Sequence, residues 1–152
     1  MCGIAGIVYK NQHKAESSLL HKIGESIAHR GPDATGIHIF QNIGLVHRRL
    51  SILDLTEAGN QPFHSNCGRY TLVFNGEIFN FQELAPQLKE KGFKFKSHSD
   101  TEVLLYLLME FGMQALNLLN GFFAFAFWDK KSKELHLVRD RFGVKPLFYH
   151  QD

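Results

Sequence analysis

The chain has 152 residues, 44% hydrophobic and 21% charged, with fourteen Phe and a formal net charge of +2. That length fits one domain and that apolar fraction supports a core, which excludes a disordered segment. The Lys and Arg are scattered, with Lys130, Lys131 and Lys133 the densest group, so nucleic acid is not an expected partner, and no apolar run approaches the roughly 18 residues of a membrane span.

Residues 3–9, rich in Ile and Val, read as a strand, directly after Cys2. From 17 to 28, Leu19, Leu20, Ile23 and Ile27 recur at helical spacing, and the helix must end at the turn His29 to Asp33, where Gly31 and Pro32 punctuate the chain. Short strand-like pieces follow over 35–40 and 43–52, and a further strand over 71–76 runs into Gly76. Asn80 with Glu83, then Ser99 with Glu102, have the form of capping boxes, predicting one helix that ends near Gly92 and another carrying Leu104, Leu105, Leu107 and Leu108. Over 122–128 Phe alternates with Ala, leaving both faces apolar, so this strand is expected to be covered on both sides. Residues 135–139 pair with it across the 129–133 turn, and 147–150 are expected to add a last strand. Strands in two batches with helices between them suggest sheets with helices packed outside.

Two cysteines, Cys2 and Cys67, build no disulfide framework, and no basic segment precedes an apolar one at the N-terminus, so the cytosol is the expected compartment. Nine His occur, yet no pair stands at an i, i+4 interval with a carboxylate between, and no CxxC is present, so no metal site is expected.

The chemistry starts at Cys2. A free thiol with a pKa near 8.5 is only about 3% thiolate at neutral pH, so a nucleophilic role needs a base. Removal of Met1 would supply one, because the α-amine of Cys2 would titrate at about 7.7–8 a few bonds from the sulfur. On position alone Cys2 reads equally as a small hydrophobe at a strand start. Asn75, Gly76 and Glu77 offer a side-chain amide and a backbone N–H for a developing oxyanion, although the isolated tripeptide reads as a turn. Arg49 could grip a carboxylate with two hydrogen bonds, or be a surface ion pair. Asp100, in the first turn of a helix, could face a cationic amine, or simply cap. Together these groups suit an amino acid whose side-chain amide is cleaved.

MCGIAG, HRGPD, HRRLSILDL, NGEIFN, SDTEVLL, NGFFAFAFWD and RDRFGVKPLFY stand in the order and approximate spacing of the N-terminal glutaminase domain of glutamine-hydrolysing asparagine synthetases, and the chain resembles that family over essentially its whole length. The resemblance implies a class II glutamine amidotransferase of the N-terminal-nucleophile fold, an α+β four-layer αββα sandwich of two mainly antiparallel sheets spanning residues 1–152. It implies Cys2 as nucleophile with its α-amine as general base, Asn75 and Gly76 as oxyanion hole, and Arg49, Glu77 and Asp100 as the wall that holds glutamine. Residues 29–33 would be mainly structural, and 139–149 would pack toward a partner domain.

No SGGxDS-type loop occurs in the chain. The resemblance therefore implies no cofactor for this domain, with ATP and magnesium reserved for a C-terminal synthetase domain outside it. L-glutamine is the implied substrate, a homodimer is left open, and the acceptor of the ammonia is not specified. A chain that kept Met1 would lack the amine and is expected to be inactive. Two alternatives share the fold: the glutaminase domain of another class II amidotransferase, which fits RLSILDL and RDRFGVKPLFY less well, and a non-catalytic glutamine-sensing or docking module, against which the intact residue set argues. A redox or metal protein fails because Cys67, in SNCGRY, reads as a loop residue with no resolving partner.

Overall fold

A computed structural model describes residues 2–10, 13–52 and 56–151; the expectation for Met1, and Leu53 to Leu55 of the HRRLSILDL stretch, lie outside the described residues. Two antiparallel sheets form the centre of the fold. The first joins β1 (Gly3–Val8), β2 (Ala34–Phe40) and β3 (Ile43–Arg49) in the order β1-β3-β2, and the second joins β4 (Phe63–His64), β5 (Tyr70–Ile78), β6 (Gly121–Asp129) and β7 (Glu134–Arg139) in sequence order.

The two-residue alternation of β-strands assigns each side chain to a layer. In β6, Phe123, Phe125 and Phe127 face a core shared with α2 (Phe81–Glu90) and α3 (Asp100–Phe111), which contribute Leu84, Leu88, Leu104, Leu105 and Leu108. Ala126 and Trp128, on the opposite face, meet Ile43 and Leu45 of β3 and Val73 of β5, with Ile4 of β1 against them. The large residues thus fill the wide gap to the helices, and the small ones let the two sheets approach. Outside the first sheet, α1 (Ser17–Ser26) lays buried Leu20 over Gly44 and Gly24 against Val46. The order α1, first sheet, second sheet, α2 with α3 is a four-layer αββα sandwich, and β6 is covered on both sides as its Phe/Ala pattern requires.

Local details depart from the sequence expectations in three places. Asn80 does not cap α2: its side chain donates to Leu118 O at 2.9 Å and accepts from Asn120 N at 2.9 Å, tying the helix start to the strand that enters β6. Ser99 does cap α3, accepting from Glu102 N at 3.3 Å, but the Glu102 carboxylate turns inward instead of back to the cap. The strand expected over 147–150 is absent: residues 145–151 carry no regular structure. Pro146 removes a ladder donor, and Phe148 and Tyr149 are 90% and 80% exposed, so no sheet face buries them.

Candidate active site

The same alternation brings distant residues to one end of the seam between the sheets. Along β3, Ile43, Leu45, His47 and Arg49 share the inward face; along β5, Val73, Asn75 and Glu77 do; and Cys2 precedes Ile4 by two on the line of β1. Apolar members close the middle of the seam, and polar members emerge where it opens. There a cleft of about 230 Å³ is lined by Cys2, Arg49, Asn75, Gly76, Glu77 and Asp100, so all six residues singled out from the sequence meet in one site.

Each is held in place. Cys2 Sγ lies 3.4 Å from the donating N–H of Leu50, and Arg30 Nε donates to the Cys2 carbonyl at 3.2 Å. Gly31 is required where the turn after α1 runs under β3, since a Cβ there would stand 2.4 Å from Arg48 O. The turn also fixes the far wall, with Asp33 Oδ2 accepting from Ser51 N at 2.7 Å. The 29–33 segment is thus structural, as expected, but its structure serves the nucleophile directly.

Arg49 ends β3, and its alternative reading as a surface ion pair is wrong: it is buried, with Nη1 donating to Thr56 O at 2.7 Å and Asn60 Oδ1 at 2.8 Å, which sets the plane of the guanidinium. NGE is likewise no turn. It lies within β5, with Asn75, Gly76 and Glu77 opposite Ala124, Phe123 and Phe122 of β6. Only glycine fits at position 76, because a Cβ there would be 2.3 Å from Phe122 O. Asp100 is more than a cap. It is 4% exposed, its Oδ2 accepts from Ile78 N at 3.0 Å, and burial pushes its carboxyl up to about 6, with the facing Glu77 adding to the rise. Both carboxylates line the cleft, where a bound cation would relieve the burial of Asp100.

Three lining or supporting residues escaped the sequence reading. Gln61 is buried, accepting from Phe74 N at 2.6 Å and donating to Thr101 Oγ1 at 3.3 Å, and so locks β5 to the start of α3 behind the site. His47 is buried one step inward from Arg49, and burial lowers its pKa to about 4, so it stays neutral. Lys145 enters the cleft from the 139–149 segment, which the sequence reading assigned to packing alone.

Among the described residues no helix is long and apolar enough to cross a membrane. The asparagine synthetase [glutamine-hydrolyzing] 1 of Bacillus subtilis is 41% identical over 152 residues, covering 98% of this chain and 24% of the relative. The amidase chry2 of Gibberella zeae is 39% identical over 166 residues, covering all of this chain and 25% of the relative. The chain thus spans about a quarter of the length of these curated relatives. A solved glutamine phosphoribosylpyrophosphate amidotransferase of Bacillus subtilis superposes with a TM-score of 0.71 at 22% identity, covering 90% of this chain and 37% of that one, a likeness of fold. With residues 1–152 all matched to the family described as glutamine amidotransferase domain, and a thiol, a carboxylate pair and an arginine gathered in one cleft of its fold, the chain belongs to that family.

Proposed function

We propose that this chain hydrolyses the side-chain amide of L-glutamine to glutamate and ammonia through a γ-glutamyl thioester on Cys2. The observation that carries the reading is the convergence of six residues from four separate segments on one cleft of about 230 Å³. Arg49 takes the α-carboxylate in a charge-assisted pair, and Asp100 with Glu77 takes the α-ammonium. This directs the side-chain amide toward Cys2.

With Met1 removed, the α-amine of Cys2 accepts the thiol proton as Sγ bonds to the amide carbon. The oxyanion forms against the Asn75 side-chain amide and the Gly76 backbone N–H. Collapse breaks the C–N bond, the protonated α-amine returns its proton to the leaving nitrogen, and ammonia departs. Water then attacks the thioester, with the amine again accepting a proton, and releases glutamate.

The ammonia is delivered to a C-terminal synthetase domain, which uses ATP and magnesium to amidate aspartate or another carboxylate. The share of each relative left uncovered supports such a linked domain. Exposed Ile52, Phe142, Val144, Phe148 and Tyr149 supply apolar surface for it. Two cysteines without a disulfide are in keeping with the cytosol.

Glutamate release by Asn75→Ala tests the reading. Loss of one oxyanion donor is expected to lower kcat by about 10²–10³ with little change in KM. A rise in KM at unchanged kcat would contradict it.

A further inference from the structure

Lys145 stands in the cleft, yet the chemistry above does not use it. The loop that carries it is tightly made. Asp140 Oδ1 accepts from Phe142 N and Val144 N, each at 3.0 Å, and Oδ2 accepts from Lys145 N at 2.9 Å and Phe123 N at 3.2 Å. One carboxylate thus ties the Lys145 backbone to β6, beside Phe122. The residue is 5% exposed, and Nζ stands 4.4 Å from the centre of the Phe122 ring, itself a wall of the cleft and the β6 neighbour of Glu77.

Lysine is seldom buried to this degree without a charge to answer. The charged and titratable groups that face it are Arg30 from the turn after α1, Asp140 of its own loop, Cys2 and Glu77, with Arg49 and Asp100 on the farther walls. Burial, with Arg30, brings the pKa of the ammonium below the usual lysine value, while Asp140, Cys2 and Glu77 act to hold the charge. Coulomb coupling is mutual, so an ammonium that gains from a negative sulfur also stabilises that sulfur.

We propose that Lys145 is an electrostatic positioning residue for the nucleophile: held over Phe122 by the Asp140 loop, its ammonium favours the thiolate of Cys2 over the thiol. The inference rests on the reading of Cys2 as the glutaminase nucleophile. In the step it assists, the proton leaves Sγ for the α-amine and the electron pair stays on sulfur, ready for the amide carbon. Lys145 exchanges no proton.

The test follows the rate at which iodoacetamide, an uncharged reagent, alkylates Cys2 across the titration range of the thiol. The full chain is used in a Cys67→Ser background, with the absence of Met1 confirmed by mass. Lys145→Met and Lys145→Gln are expected to lower the rate at neutral pH about 3–10-fold and to move the midpoint upward, and Lys145→Arg to restore both. Carrying two neutral variants keeps the comparison available if one folds poorly. An unchanged midpoint in a folded neutral variant, or Arg failing to restore it, overturns the inference. Protection of Cys2 by glutamine in the chain with Lys145 intact reports on the underlying reading instead. If protection is absent, the nucleophile assignment fails; if it is present with an unchanged midpoint, only the role of Lys145 fails.

Discussion

Asp100 is a carboxylate that folding would rather have neutral. Burial raises its pKa from 3.8 to about 6, and a shift of roughly two units corresponds to about 3 kcal/mol of penalty for the charged form. Because the folded-state value lies above the unfolded one, the penalty is complete above about pH 6 and disappears as pH falls toward 3.8. Asp100→Asn is therefore expected to stabilise the chain by about 1–3 kcal/mol at neutral pH, with the gain vanishing toward about pH 4, in urea titrations at several pH values. The same variant should raise KM for glutamine at least about tenfold, since an amide offers the ammonium no charge. A neutral-pH stability at or below that of the unsubstituted chain would show that the charge is not held against burial. His47 acts with the opposite sign: its lowered pKa of about 4 means that stability is lost as pH falls from 6.5 toward that value. Neither effect was legible beforehand. SDTE reads as a cap and HRR as part of a strand-like stretch, and only the packing of β3, β5 and α3 reveals which of their charges are buried.

The start of α3 shows how an element delivers a site residue. Glu102 is fully buried, and its carboxylate accepts from Lys96 N, Ser97 N and Ser97 Oγ at 2.7–3.1 Å and from Tyr106 OH at 2.9 Å. Burial and this carboxylate together push the Tyr106 phenol up to about 12. The bonds fold the 96–99 loop over the helix and aim Asp100 at the cleft. Glu102→Ala would leave several buried donors without an acceptor, at a cost of about 2–4 kcal/mol. That corresponds to a fall in Tm of about 5–15 °C for a chain of this size, with a raised glutamine KM because Asp100 loses its setting. A thermal scan and a substrate titration check both parts, and an unchanged KM would separate the loop from the site. At this scale the local periodicities were the legible part: the first helix, which ends at Ser26, two residues short of the expected 28, the Ser99 cap and the doubly covered Phe/Ala strand all follow from spacing. Partnership was not. Asn80 bonds to residues 38 and 40 positions away in place of its own helix, and 147–150 has the composition of a strand without a sheet face to lie on.

Across the whole molecule, the site exists because two sheets present their inward faces to each other and part at one end. Val73 and Ala126 fill the seam, while Asn75 and Glu77, two and four residues farther along β5, emerge from it. Replacing Ala126 with Leu should cost about 1–3 kcal/mol and loosen the spacing between the sheets, with kcat falling more than stability alone explains; full activity in a destabilised variant would show that the seam does not set the geometry. Which residues meet across this seam depends on which strand lies beside which, and the order β1-β3-β2 against β4-β5-β6-β7 has no local signature. The set of Cys2, Arg49, Asn75, Gly76, Glu77 and Asp100 was recognisable through seven short motifs in order, whereas Lys145 and Gln61 needed the packed layers.

The most direct test of the nucleophile is acid quenching of the chain during glutamine turnover, followed by peptide mapping by mass spectrometry. A γ-glutamyl group on the Cys2 peptide, absent from the Cys67 peptide and lost with the Cys2→Ala variant together with turnover, is the expected result. Glutamate release that continues in Cys2→Ala, or turnover with no acyl group ever found on Cys2, would contradict the thioester route.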